Sequence, residues 1–494
     1  MLFTPSFVII IIENRLLWTS ESGRFERTFP GLRDSVKEGD HMAEVKMNAR
    51  ERILLLADEG SFVELGARVE MRTTDFGSSL QKEAGDGVIT GYATVGGKLV
   101  YIYSQDASVL NGSIGEMHAR KIAHLYELAM KMGAPIVGML DSSGLRLEEV
   151  TDALEGFGFL YRTKARCSGV VPQISMIFGR CGGGLAVLAA LSDFVYMTED
   201  AKLFVNAPNT LPGNTKEKLD TASAEFQAAE SGIVDGRGTE TEITGMVKDL
   251  LSVLPANNEW PSEEAGTDDL NRLTPELQGQ ADTGYIAQII SDGNFFLEVK
   301  EEYAPEMACG FILLDGATVG VVGNRKDTLT AKGLRKAASF INFCDAFEIP
   351  LLTLTNVSGY EAGVEEEKQL AKASSEFALA LGGATVPKIN VVLNATGSGY
   401  VLMNSKALGA DVVYAYEDAK ISVMNADSAS KIIGGEDLSK VAEAFDEKQS
   451  ALSAAKRGYV DELITPETLR KHVLAAFEML YGKREGIFRK HAGK

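Results

Sequence analysis

Cysteine, histidine and tryptophan are scarce in this chain of 494 residues, which holds four, five and two of them. Cys167, Cys181, Cys309 and Cys344 form no CxxC pair. That excludes a zinc knuckle and a disulfide framework, and a reducing cytoplasm is the expected compartment. The five histidines are too scattered for a metal centre, so no metal is expected. Basic residues are also in deficit, 49 Lys and Arg against 69 Asp and Glu, and the net charge of −20 argues against nucleic acid as a partner. The apolar run Val8–Ile12 is far shorter than the roughly 20 residues of a bilayer helix. It also lacks the basic lead-in and small-residue cleavage site of a signal peptide.

What is abundant is glycine, 50 residues, within a 45 % apolar share that fits a globular α/β protein. The chain is organised around residues 167–184. An apolar, β-rich run, Ile174 to Phe178, feeds Gly182, Gly183 and Gly184, and Leu185 to Leu191 then reads as a buried helix. A strand, a turn without Cβ atoms and a helix start with unsatisfied N–H groups can hold an anionic oxygen. Close strand–helix packing alone would account equally well for one such turn.

A second copy changes the balance. Pro135 and Pro350, Gly144 and Gly359, Pro172 and Pro387, and Gly182 and Gly397 are each 215 apart, and Glu199-Asp-Ala-Lys202 recurs as Glu417-Asp-Ala-Lys420. A period this long is a duplicated domain. Cys181-Gly-Gly-Gly184 and Thr396-Gly-Ser-Gly399 then occupy equivalent places, which suggests one enzyme with two related oxyanion sites.

Residues 1–41 differ from the rest, and the natural chain is expected to start at Met42. Hairpins are expected at Gly96-Gly97 and Asp315-Gly316, and Ser104 to Ser113 is expected as a polar loop. Helices are expected over 116–132 and 330–346, and buried strands over 135–140 and 351–355. The acidic, breaker-rich stretch from Asn257 to Thr283 reads as an exposed linker. It separates an N-terminal domain, 42–265, from a C-terminal one, 280–494, both built on α/β alternation.

With both halves in view, residues 48–494 resemble the carboxyltransferase subunit of biotin-dependent acyl-CoA carboxylases and decarboxylases. The stretches that carry the resemblance are Ser104-Gln-Asp, Gly112-Ser, Glu116-Met-His-Ala-Arg-Lys-Ile122, Val171-Pro-Gln-Ile-Ser and Gly320-Val-Val-Gly-Asn324. To these are added Phe343-Cys-Asp-Ala-Phe-Glu-Ile-Pro350, Ala384-Thr-Val-Pro-Lys388 and Arg457-Gly-Tyr-Val-Asp461. The resemblance implies two tandem crotonase-like domains, with a coenzyme A thioester and a carboxylated biotin on a separate carrier protein as substrates. It also implies a homo-oligomer built from dimers, up to a hexamer, whose active site lies between the N-terminal domain of one subunit and the C-terminal domain of another. A biotin carboxylase or a membrane decarboxylase subunit is the further partner.

Carried across residue by residue, the resemblance places the thioester oxyanion turn on Gly183 and Gly184, beside Gly182. The biotin carbonyl turn falls on Ser398 and Gly399, beside Gly397, and Val401 takes the position that helps to set acyl-chain preference. Arg120, Lys121 and Arg146 are candidates for the coenzyme A phosphates. An enolate and a ureido oxyanion both need placed N–H donors, each worth about 3 kcal/mol of barrier. No strong side-chain base is required.

The chain departs from the family pattern in three places. Asp-Ser-Gly-Gly-Ala-Arg is here Asp141-Ser-Ser-Gly-Leu-Arg146, and Asp-x-Pro-Gly-Phe-x-Pro-Gly is Asn356-Val-Ser-Gly-Tyr-Glu-Ala-Gly363. The second turn, Arg-Lys-Ala-Tyr-Gly-Gly-Ala in the family, is Leu393-Asn-Ala-Thr-Gly-Ser-Gly399 and has lost both cations. Ala129-Met-Lys-Met132 matches the biotin-bearing tetrapeptide of carrier domains, but it closes an amphipathic helix, so Lys131 is expected as plain helix surface. Two further readings are a crotonase-type hydratase or hydrolase without biotin, and a catalytically weakened scaffold subunit. The hydratase reading would need Glu148 and Glu149 as acids, and these are expected as a solvated helix start.

Overall fold

Type I′ hairpins require positive φ at both central residues, which is why Gly-Gly and Asp-Gly mark them. Gly96 (φ 57°) and Gly97 (φ 78°) join strands Val88–Val95 and Lys98–Gln105. Asp315 (φ 52°) and Gly316 (φ 75°) join Met307–Leu314 and Ala317–Asn324. Helix Glu116–Met132 has the expected bounds and stops at Gly133, whose φ of 59° needs no Cβ. Helix Ala331–Ala346 starts at Thr330, whose hydroxyl accepts from the Gly333 amide.

The computed structural model describes residues 8–12, 15–20, 23–28, 46–72, 84–214, 218–259, 266, 268–424, 426–434 and 437–485. The expected start at Met42 and part of the expected linker, 260–265, lie outside them. The chain divides into residues 1–46 and 47–494. In the first unit, strands Val8–Ile12, Arg15–Ser20 and Gly23–Thr28 make an antiparallel sheet.

In residues 47–494 the described strands make two eight-stranded sheets, both laid down in chain order, and a two-stranded parallel one, Thr328–Leu329 with Gly359–Tyr360. The first runs Val63–Leu65, Val88–Val95, Lys98–Gln105, Ile136–Ser142, Gln173–Gly182, Phe194–Thr198 and Gly236–Gly238, with Lys202–Phe204 added beside Gln173–Gly182. The second repeats this with Leu297–Glu298, Met307–Leu314, Ala317–Asn324, Leu351–Val357, Lys388–Thr396, Val412–Tyr416 and Glu462–Ile464, and with Ile421–Ser422 beside Lys388–Thr396. Each sheet is antiparallel through its hairpin and parallel thereafter, with helices as crossovers. This is a mixed α/β fold with two crotonase-like repeats. Its halves share a core in which Phe194 of the first meets Phe343 of the second edge-on, ring centroids 4.9 Å apart. Burying one such ring contributes about 1.5–3 kcal/mol.

Two expectations need correction. Ser104 and Gln105 are not in a loop but end a strand, and both are fully buried. The stretch expected as an exposed linker is partly packed: Thr274 and Leu277 are 0 % exposed, and the Thr274 amide donates to Glu467 O at 2.8 Å. Composition shows polar residues and breakers, not the distant carbonyls that receive them. Lys131 is exposed in the last turn of its helix. Among the described residues no helix is long and apolar enough to cross a membrane.

Candidate active site

Each sheet carries one strand that runs into a glycine of positive φ and then a short helix. In the first half, strand Gln173–Gly182 leads to Gly183 (φ 60°, ψ −129°) and helix Gly184–Ala190. In the second, strand Lys388–Thr396 leads to Gly397 (φ 72°, ψ −165°) and helix Ser398–Leu402. Only glycine adopts these angles without strain. The two turns agree bond for bond. The Gly183 amide donates to Phe204 O and the Gly397 amide to Ser422 O, both at 2.8 Å. Ala186 N–H returns to Gly183 O and Tyr400 N–H to Gly397 O, both at 3.2 Å.

These bonds move the donor assignment in the first half. The Gly183 N–H is already bonded to Phe204 O and is not available to a ligand. The first-turn amides without an intrahelical acceptor are those of Gly184 and Leu185, and in the second half those of Ser398 and Gly399. Gly184 and Ser398 are both exposed, whereas Leu185 and Gly399 are buried. Structurally Gly183 matches Gly397, a separation of 214 rather than the 215 of Gly182 and Gly397. The slip comes from bulges in the parallel ladders. Leu140 pairs with Ile177 and Ser142 with Cys181, two extra residues, whereas Thr355 pairs with Val392 and Asn356 with Asn394, one extra.

The surroundings of the turns differ. An added Cβ on Gly182 would lie 2.8 Å from the Phe204 ring, and one on Gly184 would lie 2.7 Å from the Tyr161 hydroxyl. That hydroxyl donates to Gly184 O at 2.7 Å. On Gly397 the nearest atom to an added Cβ would be Val423 O at 3.9 Å and on its counterpart Gly183 nothing lies within 4 Å, so the positive-φ glycine is open in both turns, while an added Cβ on Gly399 would lie 2.8 Å from Val357. Ser398 Oγ donates to the Tyr360 hydroxyl at 3.3 Å, and Thr396 Oγ1 lies 3.3 Å from Ser422 Oγ. Val401 is 45 % exposed one helical turn beyond Gly397, and Val187 is 40 % exposed at the matching place in the first half.

The three basic candidates separate. Arg120 is exposed and paired with Glu116 at 2.7 Å. Lys121 points inward, its Nζ donating to Gly85 O at 2.8 Å and to Val88 O at 2.5 Å, and burial lowers its pKa to about 8. Arg146 is corrected as a phosphate ligand. Its side chain is 0 % exposed, and its donors go to Asp86 and Glu149 carboxylates at 2.5 and 2.9 Å and to Ser113 O at 2.7 Å. The sequence showed its charge but not that Asp86, 60 positions away, folds against it.

Glu149, expected as solvated, is likewise interior. Its Oε2 accepts from the Glu116 amide at 2.6 Å while Asp86 Oδ2 accepts from the His118 amide at 2.8 Å, so two buried carboxylates cap helix Glu116–Met132. Burial pushes the Asp86 carboxyl up and the Arg146 charge draws it back down. His118, a residue that sequence reasoning did not single out, is fully buried between Gln105 and the Asp86 carbonyl. Burial, reinforced by Arg146, lowers its pKa to about 3, so it is a neutral structural ring rather than an acid or base. All four cysteines are buried and free, and burial raises the Cys167 thiol to about 12, which makes it a poor nucleophile.

Two glycine turns of this kind, each followed by a short helix that opens on an exposed residue, are the feature the two repeats share. The chain belongs to the carboxyl transferase domain family, which matches residues 40–493. It is 40 % identical to the propionyl-CoA carboxylase beta chain of Roseobacter denitrificans over 89 % of this chain and 91 % of that one. It is 38 % identical to the methylmalonyl-CoA decarboxylase subunit alpha of Veillonella parvula over 90 % and 92 %. The crystal structure of the transcarboxylase 12S hexamer assembly with methylmalonyl-coenzyme A bound superposes with a TM-score of 0.85 at 35 % identity, covering 91 % and 92 % of the two chains.

Proposed function

We propose that this chain is the carboxyltransferase subunit that moves a carboxyl group between carboxybiotin, carried on a separate protein, and the α-carbon of a short acyl-CoA. The observation that carries this reading is the duplicated turn, which provides one set of amide donors for a thioester enolate and another for a ureido oxygen. Residues 42–265 supply the acyl-CoA side through Gly184 and Leu185, and residues 280–494 the biotin side through Ser398 and Gly399. The transfer breaks one C–N bond and forms one C–C bond, and the α-proton of the thioester leaves for the ureido nitrogen. No side-chain base is needed in that balance, which agrees with a neutral His118 and a protonated Cys167.

The residues of the second turn fit a ureido group. Open space at Gly397, the exposed Ser398 amide and the uncharged hydroxyls of Tyr360, Ser398 and Thr396 suit a neutral carbonyl acceptor. Biotin bound there supplies an N-carboxyl group, activated when its carbonyl oxygen accepts hydrogen bonds. Val187 and Val401 offer apolar contact for acyl or ring carbon. Arg120 is the basic candidate left at the surface for coenzyme A phosphates. The working enzyme is a homo-oligomer that meets a biotin carrier protein, together with a biotin carboxylase or a membrane decarboxylase subunit. Similarity to a carboxylase and to a decarboxylase subunit is nearly equal, and the same two turns serve either direction.

The test is transfer of labelled carboxyl from malonyl-CoA and methylmalonyl-CoA to free biotin or to a biotinylated carrier. Label in biotin with release of acetyl-CoA or propionyl-CoA is the expected result. Thioesters that bind without any transfer would overturn the reading.

A further inference from the structure

A tyrosine hydroxyl stands beside the residue that opens each short helix, but the two are used differently. In the first half Tyr161 donates to the Gly184 carbonyl at 2.7 Å, so its proton is held by the backbone. In the second half the direction is reversed: Ser398 Oγ donates to Tyr360 OH at 3.3 Å, and among the described residues Tyr360 O–H has no acceptor. Tyr360 is half-buried, with its ring packed on the core and its hydroxyl at the exposed end of the turn. The two cations of the family's second turn are missing here. Residues 393 and 394 are Leu and Asn, and the nearby Lys326 is held by Glu361 at 2.6 Å, which also receives Thr328 Oγ1 at 2.7 Å.

We propose that Tyr360 is a side-chain donor of the biotin site, aimed by Ser398, and that its free O–H supplies to the ureido oxygen a polarisation that Leu393 and Asn394 do not. The inference rests on the carboxyltransferase reading and adds a residue to it. A phenol donor next to first-turn amides stabilises negative charge as it forms, and it does so without placing a fixed positive charge against a neutral carbonyl before transfer begins. Ser398 matters twice, since its amide donates to the oxygen and its hydroxyl, by donating to Tyr360, leaves the phenol proton pointing away from the protein.

Tyr360→Phe keeps the ring and its packing and removes only the donor. Free biotin is titrated by saturation-transfer NMR against wild type and variant, alongside carboxyl transfer from methylmalonyl-CoA. The variant should bind biotin about three- to tenfold more weakly. It should transfer carboxyl about a hundredfold more slowly, with KM for methylmalonyl-CoA unchanged. Ser398→Ala, which keeps the amide, should lose about two- to fivefold in biotin affinity. A merely structural Tyr360 would move both substrates together. Wild type that transfers carboxyl while Tyr360→Phe matches it in biotin affinity and rate would overturn the inference alone. Wild type that neither binds biotin nor transfers would overturn the carboxyltransferase reading and this inference with it.

Discussion

The two halves repeat their backbone bonds far more faithfully than their side chains. Ile136 N–H bonds to Pro172 O at 3.0 Å and Leu351 N–H to Pro387 O at 2.8 Å. Asp235 Oδ2 accepts from Val195 N at 2.8 Å, and Asp461 Oδ2 accepts from Val413 N at 2.9 Å. Around that shared frame the charges part. The first half encloses Arg146 with Asp86 and Glu149, all at most 3 % exposed. At position 361, 215 further on, the second half has Glu361, paired with Lys326 in solvent. Duplication has preserved what holds strands and turns in place, while the interior of one half and the surface of the other have taken different chemistry. The first half buries an ion cluster at the start of one helix, whereas the residue at the matching position of the second half pairs in solvent.

The sharpest break between the halves should come from removing these cations. Arg146→Met leaves two carboxylates buried without their partner and is expected to cost about 3–5 kcal/mol, measured as a fall in the urea midpoint. Adding Asp86→Asn and Glu149→Gln should recover part of it, because the uncompensated charge is what destabilises. Lys326→Met in the second half should leave the midpoint unchanged within error, as expected for an exposed pair. Equal losses in the two halves would erase the distinction.

Next in size is an effect on the turns themselves. Proline at the first helical position removes one amide without breaking the helix, and a preceding glycine in the mirror-image extended region tolerates it. Ser398→Pro should therefore lower carboxyl transfer about a hundredfold or more, roughly 3 kcal/mol, with the fold intact by circular dichroism. Gly184→Pro must also clear the Tyr161 hydroxyl, 2.7 Å from an added Cβ, so it should be tested with Tyr161→Phe beside it. A similar kinetic loss in both halves would show that both amides stabilise charge. A loss in KM for the thioester alone would confine the first turn to binding.

These contrasts also explain what could be read in the chain and what could not. Turns at Gly96-Gly97 and Asp315-Gly316 were legible because their chemistry is local: the φ values demand those residues. Helix Glu116–Met132 was legible from its periodicity. The 215-residue period was visible through Pro and Gly, yet it hid the slip to 214 at the turns, since a bulge is set by register against a neighbouring strand. Arg146 and Glu149 were misread for the same reason. Their burial depends on Asp86 and on the amides of a helix 33 residues away. A paired Asp86-Gly87 ahead of the hairpin was the one signal that pointed there, and its meaning requires the fold.

The smallest predicted effect separates two aspartates with the same backbone task. Asp193 Oδ2 accepts from Gln173 N and Asp411 Oδ2 from Lys388 N, both at 2.8 Å, and each aspartate amide returns a bond to the same partner. Asp411 also holds Lys483 Nζ at 2.8 Å. Among the described residues Asp193 has no such contact: Lys164 Nζ is turned to Ser192 Oγ at 2.7 Å and Tyr126 OH at 3.0 Å. Desolvation therefore pushes the Asp193 carboxyl up to about 6. Between its ordinary value near 4 and about 6, the folded protein keeps a proton that the unfolded chain has released. This group thus favours folding fully below about pH 4, and that contribution is lost as pH rises through about 6. Asp193→Asn keeps the acceptor and cannot titrate, so its stability relative to wild type should rise by about 2–3 kcal/mol between pH 4 and pH 7 and then level off. Asp411→Asn should instead lose a little stability at neutral pH, because Lys483 gives up the more buried of its two carboxylate partners and keeps only Glu485 at 2.8 Å. Urea midpoints across that pH range decide it, and a variant of Asp193 that loses ground as pH rises would mean that Lys164 neutralises the carboxylate as fully as Lys483 does in the other half.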